Sequence, residues 1–218
     1  MTVAKKCFVF DLDGTLLDTL KTINYYLSKT LTDNGFLAVS EEACRDFVGD
    51  GSKILLARAL RAQGEADAER AYEMCREYIS AYNAAPYYLT QPYDGIPELL
   101  AALKAREMSL AILSNKPHSS VLPIVEHFFP GLFDIVQGAQ DGLALKPSPE
   151  LLFKIAEELS VSPKECVFIG DSGVDMLTAK NAGAFAVGVL WGFRSERELR
   201  EEGADVLVSR ADEISKIY

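Results

Sequence analysis

The chain has no C-x-x-C pair, no cluster of basic residues and no long apolar run, and it contains only two histidines. Each shortage removes a class of function. Cys7, Cys44, Cys75 and Cys166 are scattered and lack neighbouring histidines, a spacing that fits reduced thiols and supports neither a disulfide frame nor a zinc site. Cys7 and Cys166 lie in apolar strand-like runs, where cysteine serves as a small core residue. His118 and His127 have no second nitrogen or sulfur ligand at useful spacing, so no histidine metal site is expected. Acids outnumber bases 32 to 22, a net charge of -10 that repels phosphate backbones and anionic lipids and so disfavours nucleic-acid and membrane partners. No apolar stretch approaches the ~20 residues that span a bilayer, and MTVAKKCFVFDLD reaches its acids too early for a signal segment. A cytoplasmic location is the resulting expectation.

What is present is a core-former: 218 residues at 49% hydrophobic content suffice for one large domain, or for one domain carrying an insert. From Met108 onward, short aliphatic runs alternate with amphipathic segments, as βαβ units on a parallel sheet do. The runs are LAIL (110–113), FDIV (133–136), CVFI (166–169), FAVGVL (185–190) and DVLV (205–208). Helices are expected over Glu98 to Arg106, His118 to His127, Pro149 to Leu159, Gly173 to Asn181 and Glu196 to Glu201. Residues 16–90 instead carry helix-period patterns such as TINYYLSKTL and AERAYEMCREYISAY, with no convincing strand. Asp18 and Thr19 read as the N-cap of the first helix there, and the tyrosines from Tyr72 to Tyr88 as its packing. Pro86, Pro92 and Gly95 mark the return. The expected fold is therefore α/β: a Rossmann-like parallel core from residues 1–15 and 92–218, with a helical insert over 16–91 after the first strand.

Ligands of such sheets bind outside the carboxyl ends of the strands. Past the strand Lys5 to Phe10 comes DLDGT, past LAIL comes SNKP, before the Pro149 helix comes LKPSP, and past CVFI comes GDSGVD. These place Asp11, Asp13, Asp171 and Asp175 at one sheet edge with Ser114, Asn115 and Lys146. Two bare carboxylates ~4 Å apart repel by about 4 kcal/mol at an effective dielectric near 20, so the cluster calls for a cation. All-oxygen donors suit Mg²⁺ better than zinc. Mg²⁺, a lysine, a hydroxyl and helix-start amides together suit a phosphoryl group, with Asp11 able to attack phosphorus and Asp13, pointing differently, able to move the proton.

With these residues in place, the chain resembles the haloacid dehalogenase superfamily of phosphohydrolases, in the branch whose helical cap follows the first motif. Asp11-Leu12-Asp13-Gly14-Thr15 matches the first motif, Ser114 the second, Lys146 the third, and Gly170-Asp171-Ser172 with Asp175 the fourth. The resemblance covers essentially the whole chain. It implies strand order 5-4-1-2-3, nucleophile Asp11, acid/base Asp13, and Mg²⁺ held by Asp11, the Asp13 carbonyl and Asp171, with Asp175 acting through water. Thr15, Ser114, Asn115 and Lys146 would meet the phosphate.

VGDGSKILLARAL, PYDGIPELLAAL, LSNKP and WGFRS are similar to the phosphoglycolate phosphatase-like group, and Gly49 and Gly51 resemble its substrate-reading cap loop. The partner implied is a small phosphorylated metabolite, the chain a monomer or homodimer. Lys53, Arg45 and Lys116 stand as alternatives for reading a substrate carboxylate, or as solvated charges. A pyrophosphatase, a phosphonate-cleaving hydrolase, a sugar phosphomutase and a non-catalytic metabolite binder remain as other readings.

Overall fold

The computed structural model describes residues 4–217. Its first strand, β1 (Cys7–Phe10), is fully buried at all four residues. A central strand of a parallel sheet is covered on both faces, so a continuous apolar run replaces the polar alternation of a half-exposed strand. Two-residue periodicity still sorts the side chains: Phe8 and Phe10 join one hydrophobic cluster, Cys7 and Val9 the other.

After a short strand, β2 (Leu17–Asp18), the chain runs through α1 (Leu20–Asp33), α2 (Glu41–Phe47), α3 (Ser52–Arg61) and α4 (Ala68–Ala84), then returns through β3 (Gln91–Pro92). There follow α5 (Ile96–Ala105), β4 (Ser109–Pro117), α6 (His118–Phe128), β5 (Ile135–Ala139), α7 (Glu150–Glu158), β6 (Cys166–Gly170), α8 (Gly173–Ala182), β7 (Phe185–Val189), α9 (Glu196–Glu201), β8 (Val206–Val208) and α10 (Ala211–Ile214). The six-stranded sheet has order β5-β4-β1-β6-β7-β8 and every pairing is parallel. Counted as core strands, β7-β6-β1-β4-β5 is the expected 5-4-1-2-3 order, and β8 adds an edge.

The helices between β2 and β3 pack Leu27, Leu31, Met74 and Cys75 into the hydrophobic cluster that also holds Phe8 and Phe10 of the sheet. Tyr82 lies 5.4 Å from Tyr26 and 5.9 Å from Tyr78, ring to ring, so the inner tyrosines are packing residues. Three sequence expectations fail locally. Residues 16–90 do hold a strand: β2 pairs antiparallel with β3, tying together the two crossings between sheet and helices. That pairing takes Asp18 out of the capping role. Thr19 occupies the N-cap position of α1, but its backbone is already helical and its hydroxyl makes no capping bond, since a cap needs the extended conformation that aims the side chain at the first amides. β4 also runs farther than expected. It carries Ser114 to Pro117 inside the strand through an irregular register against β5, so these side chains sit on rigid backbone. Among the described residues no helix is long and apolar enough to cross a membrane.

Candidate active site

The turn after β1 is held by backbone bonds from Leu16 and Leu17 N–H to the Leu12 carbonyl, both 3.0 Å, and from Gly14 N–H to the Leu17 carbonyl, 2.9 Å. Gly14 has φ of +85°, and a Cβ there would collide with the Asp171 carboxylate, so only glycine suits this turn. Asp11 and Asp13 are thereby set at the carboxyl end of the central strand, across from the ends of β4 and β6.

They open on a cavity of about 60 Å³ between the sheet edge and the helical insert. Its lining includes Asp11, Asp13, Ser114, Asn115, Lys146 and Asp171, joined by Gly49 and Gly51 from the insert. Lys146, only 2% exposed at its side chain, spans two acids: its Nζ lies 2.9 Å from Asp11 Oδ1 and 2.7 Å from Asp175 Oδ1. Burial opposes its charge, yet Asp11 and Asp175 hold its pKa above the ordinary lysine value. Burial pushes Asp11 up to about 6 against the pull of Lys146, with Asp175 adding to the rise. Asp171 is raised well above the usual carboxylate range by burial and then by Asp175 and Asp11. Asp11, Asp171 and Asp175 can each bring an oxygen within 4.8 Å of the others. Asp11 Oδ1 is buried without a hydrogen bond of good geometry, despite the nearby ammonium. An all-oxygen set of crowded carboxylates with one shared lysine fits a hard divalent cation.

The other expected residues are placed as follows. Ser114 Oγ accepts from Lys116 N–H at 3.3 Å, which leaves its O–H able to donate into the cavity. Asn115 is spent on backbone: its Nδ2 donates to the Gly49 carbonyl at 3.2 Å and the Lys146 carbonyl at 3.1 Å, and its Oδ1 accepts from Lys146 N–H at 2.9 Å. Its side chain therefore fixes the lysine loop and the insert. Thr15 is fully buried and does not line the cavity; its hydroxyl donates to Asp171 Oδ1 at 3.3 Å, so the side chain supports Asp171. Asp175 also accepts from Ser172 N–H at 3.1 Å and Ser172 Oγ at 2.7 Å. Gly51, at φ +88°, caps α3, and a Cβ there would sit 3.1 Å from the Asn115 carbonyl, which explains how closely this loop docks.

Lys116 is not a solvated charge. Its Nζ meets both Asp13 oxygens at 3.1 Å and sits 4.2 Å from the centre of the Tyr82 ring, a residue of α4. Burial works against that ammonium, but Asp13 and Tyr82 keep its pKa raised. Lys53 is exposed, 5.4 Å from the Tyr72 ring centre, and Arg45 is exposed as well. His118 Nδ1 accepts from Gly138 N–H at 3.1 Å, a structural role. Sequence reasoning missed Phe193 and Arg194, which line the cavity from the loop after β7. The rule that found the other clusters, inspection past each strand end, would have found them had it been applied to FAVGVL.

Comparison with known proteins agrees with this geometry. The family described as "Haloacid dehalogenase-like hydrolase" matches residues 8–189. The chain belongs to that family. It is 31% identical to a phosphoglycolate phosphatase of Aquifex aeolicus over 97% of this chain and 96% of the relative. It is 30% identical to one of Colwellia psychrerythraea over 91% and 90% of the two chains. A solved structure described as a predicted phosphoglycolate phosphatase from Haemophilus somnus 129PT superposes with a TM-score of 0.91 at 27% identity, covering 100% of this chain and 99% of the other.

Proposed function

We infer that the cavity hydrolyses a small phosphomonoester of the phosphoglycolate type, with Mg²⁺ and through a phosphoryl group carried on Asp11. The protein is in this reading a phosphoric monoester hydrolase, as the names of its relatives suggest. The observation that carries it is the convergence of Asp11, Asp13, Asp171 and Lys146, from two strand ends and one loop, on one cavity beneath the insert.

Asp11, the Asp13 carbonyl and Asp171 would hold the Mg²⁺, with Asp175 behind them. The cation, when bound, supplies charge neutralisation at the carboxylates and the phosphoryl oxygens. Asp11 attacks phosphorus as the P–O bond to the ester oxygen breaks; Asp13, protonated once it is released from Lys116, gives that oxygen its proton and then draws a proton from the water that releases phosphate. Lys146 and the Ser114 hydroxyl meet the outer phosphoryl oxygens, where negative charge persists through the transition state. Residues 16–91 act as a cap over residues 1–15 and 92–218, and excluding bulk water strengthens each of these interactions.

The test is a phosphate-release screen of small esters with Mg²⁺ and with chelator. Release from phosphoglycolate or a similarly short ester, lost with chelator and reduced at least a thousand-fold in Asp11→Asn, supports the reading. Release that survives Asp11→Asn unchanged contradicts it.

A further inference from the structure

The loop Trp191 to Arg194 touches both the Asp171 carboxylate and the helical insert. Trp191 Nε1 donates to the Thr15 carbonyl at 3.0 Å, which pins the start of the loop to the turn after β1. Gly192 has no room for a side chain, since a Cβ would collide with Asp171 and the Gly14 carbonyl. Phe193 N–H donates to Asp171 Oδ2 at 2.7 Å. The next residue reaches the other way. Arg194 Nη1 donates to the Arg45 carbonyl at 2.6 Å and Nη2 to the Val48 carbonyl at 2.5 Å, at the end of α2. Carbonyls at a helix end lack partners within the helix, and a guanidinium fork satisfies two of them at once. Glu198 steadies the fork from behind, 3.7 Å from Arg194 Nε, while accepting from Gly173 N–H at 3.1 Å, two residues past Asp171.

From this we propose that Arg194 is a positioning residue, which holds the insert closed over the cavity and couples closure to the orientation of Asp171. The coupling rests on the metal role given to Asp171 above; the closing role does not. An insert that swings away takes both carbonyls from the guanidinium, and the residue that loses them is bonded directly to the one whose amide fixes Asp171. The main chain between them is short and gripped at Trp191, so the movement has little slack in which to dissipate.

The experiment compares wild type with Arg194→Met, Arg194→Lys and, on the exposed face of α9, Arg197→Ala. Three quantities are read: ester hydrolysis, Mg²⁺ binding by calorimetry without substrate, and the rate of limited proteolysis in the 86–92 crossing. Arg194→Met should lower kcat/KM by roughly ten- to a hundred-fold, mostly through kcat, as expected for misplaced catalytic groups. It should also weaken Mg²⁺ binding and speed linker cleavage, each several-fold. Arg194→Lys keeps the charge without the fork and should recover only part of each loss, whereas Arg197→Ala should match wild type. Unchanged linker cleavage and unchanged Mg²⁺ affinity in Arg194→Met, whatever its thermal stability, would overturn the proposal. Should the wild type itself neither hydrolyse esters nor bind Mg²⁺, the functional reading fails separately, and linker cleavage alone decides the closing role: faster in Arg194→Met upholds it, unchanged refutes it.

Discussion

Lys146 serves Asp11 and Asp175, and Lys116 serves Asp13, whereas among the described residues the hydrogen bonds to the Asp171 carboxylate come from the Thr15 hydroxyl and the Phe193 amide. A buried carboxylate held that way is costly unless a cation joins it. Asp171→Asn should therefore raise the unfolding midpoint of the metal-free protein, by roughly 2–4 °C for each kcal/mol relieved in a chain this size, while abolishing any increase on adding Mg²⁺. The amide can keep both neighbours, accepting from Phe193 and donating to Thr15. Thermal unfolding with and without Mg²⁺ reads both effects. Asp11 gives the corresponding pH dependence. Its carboxyl titrates at about 6 when folded, against an ordinary 3.8, so between those values the folded chain holds the extra proton. Its stabilising contribution is complete below 3.8 and is lost as pH rises through about 6. In chelator, stability should fall over that window, less steeply in Asp11→Asn. A midpoint that climbs with pH over the same window would contradict the sign.

Elements were legible in the sequence wherever one physical signal dominated. The runs that became β1, β4, β6 and β7 are apolar without interruption and buried, and the alternation of such runs with amphipathic segments after Met108 points to a parallel sheet. Within the insert, α1 and α4 showed through their periodicity. β2 did not, because two residues carry no period and the pairing of Leu17 with Pro92 depends on a segment 75 residues later. Capping depends on the preceding residue staying extended. Asp67, at φ -69° and ψ 115°, accepts from the Glu69 and Arg70 amides at the start of α4, as Thr19 cannot at α1. Asp67→Ala should cost about 1 kcal/mol in chemical denaturation, whereas Thr19→Ala should forfeit no capping energy.

At the scale of the whole molecule, the site is assembled from segments more than a hundred residues apart, and only the sheet brings them together. The acidic motif after β1 could be read from the sequence because each polar cluster followed an apolar run. The burial of Lys116 against Asp13 and Tyr82 could not, since it depends on α4 descending onto β4. Nor could the diversion of Thr15 and Asn115 to structural bonds, because hydroxyls and amides find their partners only after the turn and the lysine loop have packed. The same assembly puts the insert, the loop after β7 and the carboxylates around one small space, and so makes a specific chemical claim: Asp11 becomes covalently phosphorylated. Rapid acid quenching during turnover of a radiolabelled short phosphomonoester, followed by peptide mapping, tests it directly. The account predicts label on the peptide containing Asp11, base-labile as an acyl phosphate is, and absent in Asp11→Asn. Turnover with label on another side chain, or with none on the protein throughout the first turnover, would contradict it.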